Sequence, residues 1–122
     1  MNNENILTSL SNCLKIPISE RKLSPIEIGE LMKLLTESMT LIQIADLVGI
    51  KDKNFIKRFL EILNLPKEIQ VKISWQNTLG TISFTSAYEI AIEKNQEKKL
   101  KIITFIKENN TFTRKHISEL IN

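Results

Sequence analysis

Residues 40–64 read TLIQIADLVGIKDKNFIKRFLEILN, two helical stretches of opposite character separated by a glycine. Thr40 and Gln43 have the spacing of a capping box, in which the hydroxyl accepts from an early helix amide and the glutamine reaches back to the cap. Ile42, Ile44, Ala45, Leu47 and Val48 follow, which predicts a short, almost fully buried helix. Gly49 stands where a left-handed residue ends a helix, and Asp52 is a suitable cap for the next. That second helix is expected to continue to about Leu63. The Leu65-Pro66 step closes it, because proline disfavours helical backbone in the residue before it.

On a wheel of about 100° per residue, Lys53, Asn54, Lys57, Arg58, Glu61 and Asn64 fall within one arc of roughly 140°. Phe55, Ile56, Phe59, Leu60, Ile62 and Leu63 occupy the remainder. A helix divided in this way, preceded by a buried helix and a tight turn, is the arrangement that lets a second helix enter the DNA major groove. Thr40, Gln43, Ala45, Gly49, Asp52, Ile56 and Phe59 form the expected scaffold, with small Ala45 permitting close helix approach. Lys57 and Arg58 suit phosphates or guanine, and Asn54 suits paired hydrogen bonds to adenine. Lys51 and Lys53 lie at the helix start, where groove contacts are usually made. A basic surface helix in an ordinary bundle has the same wheel, so the caps, Ala45 and Gly49 carry the distinction.

Outward from this stretch, helical punctuation continues. Ser24-Pro25-Ile26-Glu27 is a second capping-box start, with proline in the first turn where no donor is needed. Ile28, Leu31, Met32, Leu34 and Leu35 then predict a helix to about Glu37. Residues 4–14 have helical apolar spacing at Ile6, Leu7, Leu10 and Leu14, but the run is short and polar at its start. Residues 1–22 are therefore expected to be an arm with a weak helix, and 23–122 the domain proper. Downstream, Pro66 begins an expected helix containing Ile69, Val71 and Ile73, and Asn77, Thr78 and Gly80 mark a loop. Ser83 or Thr85 starts a helix with Ala87, Ile90 and Ala91, Asn95 precedes a charged helix with Ile103 and Ile106, and Thr113 caps a last one with Ile117.

Composition agrees with an all-α class: the 122 residues include only 3 glycines and 3 prolines, too few for the turns of a sandwich or barrel. Apolar runs fall short of the roughly 20 residues of a membrane span, and no secretory leader is expected at the N-terminus. One cysteine and one histidine leave no metal cluster of ordinary spacing, so neither metal nor cofactor is expected. Cys13 reads as a packed thiol in a reducing setting, His116 as a solvated or capping histidine without a nucleophile or carboxylate partner, and Trp75 as core or as an interface anchor. A non-enzymatic, cytoplasmic protein follows.

The net charge of +3 is modest, but its distribution is uneven. Residues 51–59 alone hold four basic and one acidic side chain, equal to the excess of the whole chain. A second basic run, Lys94, Lys98, Lys99, Lys101 and Lys107, is interleaved with Glu93, Glu97 and Glu108, which reads as a solvated face of mixed sign.

Leu23-Ser24-Pro25-Ile26-Glu27, the Thr40 to Gly49 block, Leu63-Asn64-Leu65-Pro66-Lys67-Glu68-Ile69-Gln70, Ile82-Ser83 and Phe112-Thr113-Arg114 resemble, in order, landmarks of the helical DNA-binding domain of the ParB, KorB and Noc family. The resemblance spans about residues 23–121. It implies sequence-specific binding of double-stranded DNA in plasmid or chromosome partition, or in transcriptional regulation, with nucleoid or plasmid association. The family's nucleotide-binding clamp domain has no counterpart here, so CTP hydrolysis and sliding are not expected. The Gly49-Ile50-Lys51-Asp52 turn is one residue longer than the family's. A homodimer is expected, since one small module rarely reads enough sequence. The rival expectation is a helical adaptor that binds a partition ATPase or regulator through Trp75 or the C-terminal surface.

Overall fold

Most α-helices of the chain begin directly after a side chain that satisfies one of their free amides; α5, which follows Pro66, does not. In the computed structural model, which describes residues 2–76, 78–109 and 111–121, the helices are α1 (Asn3–Lys15), α2 (Pro25–Leu35), α3 (Leu41–Val48), α4 (Lys53–Ile62), α5 (Lys67–Gln70), α6 (Phe84–Ala91), α7 (Gln96–Glu108) and α8 (Arg114–Ile121). Asn2, Ser24, Thr40, Asp52, Ser83 and Asn95 each accept a hydrogen bond from an amide of the helix they precede. Both expected capping boxes are complete, at Ser24/Glu27 and at Thr40/Gln43. The fold is all-α apart from a two-residue parallel pairing of β1 (Ile73–Ser74) with β2 (Ile82–Ser83).

The core is divided. Ile6, Leu10, Ile28, Met32, Leu35, Ile44, Val48, Ile56 and Phe59 form one buried cluster, to which α1 to α4 contribute. Ile62, Leu65, Ile69, Ile82, Ile90, Ile102, Ile106, Phe112 and Ile117 form the other, under α5 to α8. Helix α4 belongs to both, with Ile56 and Phe59 in the first and Ile62 in the second.

Three expectations are corrected. The stretch expected as an arm, residues 1–22, contains a packed helix: α1 lies on α2 and α3, and its Ile6 and Leu10 are buried in the first cluster. Its short amphipathic pattern is stabilised by tertiary packing, which an isolated-helix argument leaves out. Helix α3 is not almost fully buried, since Ile42 is 64% and Leu47 56% exposed. An eight-residue helix lying on α1 and α4 covers one face only. After Pro66 there is a single helical turn, which gives way to β1 at Ile73 and leaves Val71 81% exposed. Of the expected loop, Thr78 and Gly80 lie between the strands, Gly80 with φ +79°; Asn77 is outside the described residues.

Gln70 explains the exit from α4. Its buried amide Nε2 donates to the carbonyls of Leu63 at 2.9 Å and Leu65 at 2.8 Å, satisfying acceptors left without partners where the helix ends.

Helix α2 comes close to α4 at Gly29. A Cβ there would stand 2.7 Å from the Phe59 carbonyl oxygen and 3.2 Å from Leu63 Cδ2, so α2 lies against the backbone of α4 with no room for a methyl group. Gly29→Ala is expected to lose a net ~1–2 kcal/mol of stability, overpacking outweighing the better helix propensity of alanine. Urea denaturation checks this, and unchanged or raised stability would contradict the close approach.

Candidate nucleic-acid interface

The chain path from α3 to α4 is fixed by glycine conformation. Gly49 has φ +87°, and its amide donates to Ala45 and Asp46 carbonyls at 3.0 and 3.3 Å while that of Ile50 donates to Ala45 at 2.8 Å. This is the paired-bond ending in which a left-handed residue turns the chain out of the helix. Ile50 then packs its half-buried side chain against the first cluster. Lys51 continues the turn, and Asp52 accepts from the Asn54 amide at 2.9 Å to open α4. The turn thus runs from a left-handed helix end to a capped helix start.

No atom lies within 4 Å of a Cβ built at Gly49, so the demand there is conformational, unlike the steric one at Gly29. Gly49→Ala should therefore cost about 1–2 kcal/mol through the left-handed backbone alone, and Gly49→Asn less. Thermal unfolding of the two variants tests the order; equal losses would argue against it.

Helix α4 is held against rotation by aromatic rings. Phe59 stacks on Phe84 of α6, with centroids 4.3 Å apart and planes 18° from parallel. Phe55 and Trp75 meet Phe59 edge-on at 5.1 and 6.0 Å. Trp75 also donates its Nε1–H to the Leu23 carbonyl at 2.7 Å and lies under the Arg21 guanidinium, 4.6 Å from the ring centroid. The half-buried tryptophan is therefore committed to joining α4, β1 and the segment before α2. Sequence spacing did not reveal that Phe84 and Trp75 meet Phe59, because the contacts span three separate segments.

With the apolar side so held, Lys53, Asn54, Lys57 and Arg58 are exposed along α4, and Lys51 is exposed in the turn. Ala45, Ile56 and Phe59 are buried beneath, as scaffold positions, while Thr40, Gln43 and Asp52 make their capping bonds. A groove of about 680 Å³ runs between α3 and the start of α4, lined among others by Ile42, Gln43, Asp46, Lys51 and Lys53. At the far edge of the basic face, the Arg58 guanidinium lies over the Tyr88 ring of α6, 5.4 Å from its centroid. Tyr88 was not singled out from the sequence; the pairing depends on how α4 and α6 cross.

The lysines of α7 differ from the cations of the turn and α4, whereas Lys94, just before α7, is exposed and in no ion pair among the described residues. Lys98 pairs with Glu93 at 3.3 Å, Lys101 with Glu97 at 3.9 Å and Lys107 with Glu68 at 3.8 Å. Lys99 donates to the Ala91 carbonyl at 2.9 Å, at the end of α6. Among the described residues no ion pair involves Lys51, Lys53, Lys57 or Arg58.

The residues weighed for other chemistry are used by the fold. His116 Nδ1 accepts from the Thr113 amide at 3.2 Å, and Thr113 Oγ1 accepts from the His116 amide at 3.3 Å, a capping box with histidine in the place of glutamate. Cys13 is buried in the first cluster. Among the described residues no three His, Cys, Asp or Glu side chains come together as metal ligands, and no helix is long and apolar enough to cross a membrane. Compared with protein-family models, with curated proteins and with solved structures, the chain matches none.

Proposed function

We propose that the protein binds double-stranded DNA through α4, which enters the major groove as the second helix of a helix-turn-helix. The observation that carries this reading is the contrast between α7 and α4: the cations of α7 are engaged within the molecule, whereas those of the turn and of α4 face solvent together without carboxylate partners among the described residues. Exposed unpaired cations on one rigid helix are suited to a polyanion, since each phosphate they neutralise releases condensed counterions. Lys51, Lys53 and Lys57 have the reach of phosphate contacts. Asn54 and Arg58 carry the paired donor or acceptor geometry that distinguishes adenine and guanine.

The proposed role is non-enzymatic, and the resemblance of the sequence landmarks to the ParB, KorB and Noc helical domain supports a part in partition or transcriptional regulation. Two copies reading half-sites about one helical turn apart would supply the specificity that a single module lacks.

Selection of bound duplexes from a random pool should enrich one site, palindromic if the protein acts as a symmetric dimer. Titration of that duplex at graded salt should give a steep negative slope of log affinity against log salt, about −0.9 for each phosphate neutralised. Lys57→Ala should flatten the slope by about one, and Asn54→Ala should cost about 1–3 kcal/mol and relax preference at one base pair. Failure to bind any duplex would sink the reading in favour of a protein-binding adaptor.

A further inference from the structure

The last turn of α1 and the turn between α3 and α4 face each other across a surface groove of about 360 Å³, with Lys15 and Arg21 on one side and Lys51 and Asp52 on the other. Arg21 is occupied by the fold: it donates to the carbonyls of Ile16 and Leu14 at 3.3 and 3.4 Å and covers the Trp75 ring. Those bonds fix the end of α1 and so the position from which Lys15 projects. Asp52 is engaged with the Asn54 amide. Lys15 and Lys51 are both exposed, and neither belongs to an ion pair among the described residues.

Lys15, Arg21 and Lys51 against the single carboxylate of Asp52 leave the lining of this groove with an excess of positive charge, which favours an anion beside it. The turn Gly49–Asp52 lines this groove and also the one beside Lys53 at the start of α4. Lys15 on one groove and Lys53 on the other are thus joined through the shared turn that carries Lys51.

We infer that Lys15 and Lys51 together hold a backbone phosphate of the duplex that α4 reads, making the end of α1 a sequence-independent part of the DNA interface. This rests on the DNA-binding reading of α4. It assigns a positioning task to a helix outside the helix-turn-helix: phosphate contacts fix register on the duplex and leave base discrimination to α4.

The test is Lys15→Gln in the full chain, titrated with the selected duplex and with a scrambled one at graded potassium chloride. Loss of the contact should weaken binding to both duplexes by the same factor, about threefold to tenfold, and make the salt slope shallower by about one. Lys15→Arg should restore both affinity and slope. Because Lys15 also complements the dipole at the end of α1, thermal unfolding of each variant is recorded alongside; a slope change at an unaltered Tm separates anion binding from helix stability. Unchanged affinity and slope in Lys15→Gln, with Lys57→Ala still weakening binding, would overturn the phosphate site and leave the α4 reading intact. A wild-type chain that binds no duplex would overturn both.

Discussion

Phe59 holds α4 from two sides. Its ring stacks on Phe84 of α6, and its carbonyl oxygen lies so near Gly29 of α2 that a Cβ there would come within 2.7 Å. The first contact sets the rotation of α4 about its axis, and the second sets its depth between the other helices. Together with Ile56 and Ile62, which enter the two apolar clusters, these constraints set which side of α4 is exposed. Trp75 reinforces the arrangement from a third direction, its indole bonded to Leu23 and edge-on to Phe59. Burial of large aromatic side chains supplies the stability, and their edge and face preferences make the orientation specific.

What was legible in the sequence was mostly local. Ser24, Thr40, Asp52, Ser83, Asn95 and Thr113 act within three residues of their own positions, and a cap has the same meaning wherever the helix is later packed. The apolar and polar sides of α4 were legible for the same reason, since ten consecutive helical residues fix a wheel. Gln70 stood within a recognisable run, but its purpose as a double donor to Leu63 and Leu65 is visible only once the chain has turned.

The remainder depended on contacts between distant residues. Helix α1 has an unremarkable pattern and is ordered by what lies on it. In α3 every position except Gln43 and Asp46 is apolar, so periodicity gave no indication of which residues would remain outside. The parallel pairing of Ile73 with Ile82 involves two residues on each side, too few for strand alternation to register. Gly29 carried no signal at all, because a glycine within a helix does not announce the backbone that will lie against it. Residue type identified the cations, but only the folded chain distinguishes Lys107, paired across the molecule with Glu68, from Lys57, which has no such partner among the described residues.

The angular division of α4 has an evolutionary consequence. Ile56, Phe59 and Ile62 maintain the packing, while Lys53, Asn54 and Lys57 contribute to neither apolar cluster. Selection can therefore act on the two sets separately: descendants are free to exchange the outward side chains while inheriting the same scaffold. Arg58 is the exception, because its guanidinium rests on Tyr88. A lineage that changes one of that pair acquires a reason to change the other.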